Sequence, residues 1–135
     1  MLTDERTKPM TVENVNQFKK DLEQFYGTIN YYKLGYYPVY ATDGVEYFCK
    51  TAEAYWLFDE IAHFICHKTK EPFVVAVITV NNTDNGRCAV LKYEDGNCNE
   101  LGGKVIDYTD LPVGEWKLWA SNYPEQKVIM LPSEY

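Results

Sequence analysis

The sequence predicts an α+β domain in which two N-terminal helices pack on a mostly antiparallel sheet of about five strands. Three observations carry this reading. Apolar residues recur at three- and four-residue steps through the first half of the chain. From Pro72 onward the pattern changes to short β-branched and aromatic runs. Those runs are separated by clusters of Gly, Asn, Asp and Pro, the residues that punctuate turns.

Residues 1–10 are largely polar, contain Pro9, and read as a leader to a single domain over 11–135. Thr11 is the candidate N-cap of the first helix, because its hydroxyl can accept from free N–H groups of the first turn. Val12, Val15, Phe18, Leu22 and Phe25 then form one apolar stripe, and Gly27 is the expected stop. Residues 28–41 favour extended chain but are broken by Gly35 and Pro38. An irregular segment is expected there, with a short strand near Val39–Ala41 on an edge, where the missing N–H of Pro38 costs least. Thr42-Asp43-Gly44 looks like a helix start, with a short helix at Val45–Cys49. Thr51 is the candidate cap of a longer helix that carries Ala54, Leu57, Phe58, Ile61, Ala62, Phe64 and Ile65 to about Lys68. Apolar over more than half its circumference, it should be the buried central helix.

Strands are expected at Phe73–Val80, Cys88–Tyr93, Lys104–Tyr108, Trp116–Ala120 and Lys127–Leu131. The breaks between them fall at Asn81–Gly86, Glu94–Asn97, a flexible Gly102-Gly103 pair, Leu111–Gly114 and Ser121–Glu125. Trp116 and Leu118 should share one face of their strand, with Trp119 on the other.

A chain of 135 residues can bury roughly two-thirds of its unfolded surface without disulfides or metal. No stretch approaches the roughly 20 apolar residues that a spanning helix needs, so no membrane association is expected. Cys49, Cys66, Cys88 and Cys98 make no C-x-x-C pair, which predicts free thiols in a reduced, cytoplasmic setting. The net charge of −7 opposes a phosphate-backbone binder, and Arg6 and Arg87 are the only arginines. The expected partner is therefore a protein and not a nucleic acid.

Four segments resemble a family of small uncharacterised proteins from bacteria, phages and mobile elements. They are Phe25-Tyr26-Gly27-Thr28-Ile29-Asn30-Tyr31-Tyr32, Thr42-Asp43-Gly44-Val45-Glu46-Tyr47, Ala54-Tyr55-Trp56-Leu57-Phe58-Asp59-Glu60-Ile61-Ala62, and the pair Tyr108–Pro112 with Leu131–Tyr135. Together they span almost the whole chain. The resemblance implies a domain of unknown role and no particular activity. The chain departs from the pattern at Cys66-His67 and at Asn122–Gln126.

Asp59, His63 and His67 follow one another at four-residue steps and would stack on one helical face, a weak candidate for a metal site. The zinc-protease Glu is missing after the first His, so that chemistry is excluded. The competing reading places His67 and Lys68 in a last helical turn because cations suit it. Cys66 and His67 are adjacent, about 100° apart on a helix, and form no dyad. Nucleophile elbows, phosphate loops and dinucleotide fingerprints are absent, and no cofactor is expected. Asp107 and Asp110 read as turn residues before an acid–base pair.

The tyrosine-rich segment is the favoured candidate site. Tyr31, Tyr32, Tyr36, Tyr37 and Tyr40 follow Tyr26 in a stretch with weak secondary structure. They can recognise a protein partner as an exposed aromatic loop, or cover the core with hydroxyls outward. The expected protein is a non-enzymatic binder. The rival is a small enzyme or metal- or ligand-binding protein with a pocket between the tyrosines and the central helix. A homodimer through an edge strand is a third arrangement.

Overall fold

The computed structural model describes residues 12–84 and 86–135. Helix α1 spans Val12–Glu23, strand β1 Tyr40–Ala41, helix α2 Asp43–Ala52 and helix α3 Tyr55–His67. Strands β2 (Phe73–Thr83), β3 (Gly86–Glu94), β4 (Glu100–Ile106), β5 (Gly114–Tyr123) and β6 (Gln126–Met130) follow, and a 3-10 helix closes the chain at Pro132–Glu134. The α+β class holds, with two corrections among the described residues. There are three α-helices instead of two, and the sheet has six strands in the order β1-β6-β5-β2-β3-β4. The additional strand is the short edge segment, which joins the sheet by a parallel pairing of Tyr40 with Val128 and Ala41 with Ile129. Every other pairing is antiparallel.

Alternation decides which face the helices cover. Val74, Ala76, Ile78 and Val80 of β2 are buried, as are Trp116, Leu118 and Ala120 of β5 and Ala89, Leu91 and Tyr93 of β3. Against them lie Leu57, Phe58, Ile61 and Ile65 of α3 and Val45, Phe48 and Cys49 of α2. Each Val, Leu, Ile and Phe among them stabilises by about 1.5–3 kcal/mol on leaving water. Phe18 attaches α1 through ring contacts of 5.5–6.1 Å with Trp116, Phe48 and Tyr47. Trp119 lies on the opposite face, as alternation requires, packed edge-on to Phe73 and Tyr135.

Several boundaries moved. Thr11 lies outside the described residues. Helix α1 ends at Glu23, before Gly27, with Gln24 and Phe25 donating to Asp21 and Leu22 in a tightened last turn. Thr42 is the N-cap of α2, accepting from the Val45 N–H, but this helix runs past Cys49 to Ala52 and includes Thr51. Left-handed Glu53 (φ 55°) ends it, and Ala54 starts α3 with no side-chain cap. Gly102-Gly103 is part of β4, where the pair lies opposite Tyr93 and Lys92. Local composition marks two glycines as flexible, yet here the ladder to β3 holds them.

Candidate functional site

The two sequence candidates meet. On α3 the four-residue step brings Tyr55, Asp59, His63 and His67 onto one exposed stripe. The irregular segment around Gly35–Pro38 crosses that stripe. Gly35 approaches so closely that a Cβ built on it would stand 2.1 Å from Asp59 Oδ1. Burial, with the neighbouring Glu60 charge, raises the Asp59 carboxyl above its usual range.

Tyr37 pins the segment down. Its hydroxyl lies 2.7 Å from His63 Nδ1, and its ring meets both imidazoles edge-on at 5.7 and 5.6 Å. The two imidazoles are 5.0 Å apart. Tyr36 stands edge-on to Tyr37 at 5.7 Å and remains 89% exposed. The segment thus presents one anchored ring and one open ring.

The other tyrosines part company. Tyr31 is exposed. Tyr32 pairs through its backbone with Ala41, and the nearby Asp43 carboxylate raises its phenol pKa. Tyr40 projects opposite to buried Ala41, on the open sheet face away from the helices. Trp116 is buried with Phe18, and Trp119 faces the open side of the sheet, so neither extends the tyrosine patch.

Asp59, His63 and His67 share a stripe without converging. Asp59 reaches Gly35, His63 Nδ1 meets Tyr37, and no group of three or more metal-binding side chains is gathered among the described residues. Burial raises the Cys66 thiol pKa, with Lys127 opposing. Asp110 accepts from the Tyr108 hydroxyl, and the turn after Ile106 is instead held by the Thr109 side chain, which accepts from Leu111 N–H.

Sequence reasoning missed two features. A cleft of about 470 Å³ lies on another flank of α3, bounded by Phe64, His63 and Lys68 and by Leu101–Lys104 of β4. The Gly102-Gly103 pair was its signal, since strand positions without side chains leave space. The second is the carboxylate of Glu134, which accepts from Thr42 Oγ1 (2.5 Å), Gly44 N–H (3.0 Å) and Leu131 N–H (3.0 Å). Two of the segments that carry the family resemblance, Thr42-Asp43-Gly44 and Leu131–Tyr135, are therefore in direct contact.

The chain belongs to a family of unknown function, DUF6876, matched over residues 16–135. That span includes both Cys66-His67 and the β5–β6 turn. Among solved structures it is similar to a protein of unknown function from Enterococcus faecalis, with a TM-score of 0.50 and 15% identity. The likeness covers 78% of this chain and 98% of that one, and it concerns the fold alone. No curated protein matches the chain. No described helix is long and apolar enough to cross a membrane.

Proposed function

We propose that this chain is a non-enzymatic protein-binding or accessory protein of a bacterium, phage or mobile element. It recognises its partner through the tyrosine surface built on α3. The observation that supports this most is Tyr36, which is 89% exposed yet braced edge-on by an anchored neighbour. An aromatic ring on a firm support brings large contact area and loses little freedom on binding. Tyr31 and Tyr26, at 52% and 82% exposed, add further aromatic surface in the same segment. The net charge of −7 suits a partner with a basic face. The bacterial or mobile-element source rests on the four resembling segments, and the cytoplasmic setting on four free thiols.

The second reading, a small enzyme or ligand binder beside the central helix, is supported by the cleft against α3. Of Asp59, His63 and His67, only His63 lines it. The polar set that this reading relies on is therefore not gathered in the cleft.

The test is affinity capture from cells that encode the protein, comparing wild type with a Tyr31→Ser/Tyr36→Ser double variant. Both side chains are exposed, so the variant should keep its fold, as circular dichroism would verify. A captured protein should lose about tenfold in affinity, which is about 1.4 kcal/mol. Equal capture by the variant refutes the tyrosine surface. A small molecule retained in native mass spectrometry supports the second reading.

A further inference from the structure

The cleft beside α3 has a second property: one of its walls is a sheet edge. Strand β4 is last in the strand order, paired with β3 on one side and with no described strand on the other. An open edge offers N–H and C=O groups at the spacing of an extended chain. Four successive residues of that strand, Leu101 to Lys104, line the cleft. Gly102 faces α3, and a Cβ there would stand 3.0 Å from Phe64 Cε1, so the missing side chain keeps the cleft open above that ring. Phe64 is itself backed by Tyr93, stacked at 3.8 Å, and the Tyr93 hydroxyl donates to the Glu60 carbonyl. The floor is thus apolar and braced. No proline interrupts β4, so each residue of its edge keeps a backbone N–H.

The rim has the opposite sign to the molecule. Lys68 from the end of α3 and Lys104 from β4 both line the cleft, with His63 between the cleft and Tyr37. Glu60 offsets one of them, at 2.8 Å from Lys104 Nζ. Two ammonium groups against one carboxylate, in a chain of net charge −7, mark this site for an anionic occupant.

We propose that the cleft binds an extended acidic segment of a partner protein, which adds to β4 as a further strand. Backbone bonds to the β4 edge align the segment, alternate side chains enter over Phe64 and Gly102, and its carboxylates meet Lys68 and Lys104. A second copy pairing β4 against β4 is the poorer occupant, because the two-fold arrangement would bring the same cations to the same rim. This inference does not rest on the tyrosine surface.

Random displayed peptides selected on the full-length chain provide the test, with enriched peptides synthesised and titrated by fluorescence anisotropy. Enriched peptides should alternate β-forming residues and carry Asp or Glu. Their affinity should fall about tenfold in a Lys68→Glu/Lys104→Glu variant, an amount equal to about 1.4 kcal/mol. It should be unchanged in the Tyr31→Ser/Tyr36→Ser variant. Gly102→Leu, which fills the cleft, should also block binding, and the surface charge variant stands in if it fails to fold. Bound peptide should slow amide exchange within Leu101–Val105. No enrichment, binding that ignores the charge variant, or protection elsewhere overturns the proposal. Binding lost only in the tyrosine variant overturns it too, while leaving the tyrosine surface standing.

Discussion

Glu134 shows how much one side chain can organise. Its carboxylate takes the Gly44 N–H and the Thr42 hydroxyl, groups some 90 residues earlier in the chain, while also accepting from Leu131 N–H. An anion at the start of α2 satisfies a donor that the helix itself cannot. The fit is close: a Cβ on Gly44 would meet Leu131 Cδ1 at 2.5 Å and Glu134 Oε1 at 2.6 Å. Glu134→Ala should therefore cost about 1–2 kcal/mol, the usual cost of losing a cap. Urea unfolding measures it, and an unchanged midpoint would show that Thr42 alone caps α2. Reading the residues in order marks Thr42-Asp43-Gly44 as a helix start, because a bond such as that from Val45 N–H to Thr42 is local. Glu134 escapes such a reading because nothing near it in sequence announces its partner.

At the scale of elements, the irregular segment is tied to α2 through Asp43. The carboxylate accepts from Ile29 and Asn30 N–H, and the Asp43 N–H donates to Thr28 Oγ1. The Ile29 bond is the main cause that holds this carboxyl below the usual aspartate range, with Tyr32 also lowering it and burial opposing. A lowered folded-state pKa contributes stability that is present above the unfolded value and lost as pH falls through the folded one. Acid should accordingly release residues 28–32 from α2. Asp43→Asn should be less stable at neutral pH and show a flatter acid limb, followed by amide exchange at Ile29 against pH. An acid limb identical to wild type would mean that another carboxylate controls the segment. The same scale shows why helix ends were hard to read. Periodicity located α1 and α3, but the stop of α2 is left-handed Glu53, a residue type without special preference for that conformation. The Gly102-Gly103 pair was misplaced for the converse reason: weak local preference was overridden by a ladder to Lys92 and Tyr93.

Across the whole molecule, Cys49 reports on the integrity of the core. It is fully buried between α2 and its neighbours, and burial, with Glu46 and Asp59, pushes its thiol up to about 12. The thiolate is the reactive form, so Cys49 should resist alkylation while the fold persists. Exposed Cys98 should label first at neutral pH, and Cys49 only when the protein opens globally. Mass spectrometry of the labelled chain across a urea series reads both. Labelling of Cys49 well before the global transition would mean that the helices detach from the sheet as a separate unit.

Local pattern is enough for the α+β class, for the three- and four-residue spacing of the buried stripes and for the alternation that sends Trp116 inward and Trp119 outward. Each of these follows from periods of a few residues. Placing Asp59, His63 and His67 on one stripe was equally local, and so was the concentration of tyrosines in one segment. Tertiary structure alone decided that Tyr37 meets the histidines while Tyr40 goes to the open sheet face, and that β1 pairs in parallel with β6. It also decided that the glycine pair lines a cleft and that the chain's last turn caps its second helix. Those outcomes depend on which surfaces bury one another across long separations, and apart from the glycine pair the order of residues along the chain carries no short-range trace of them.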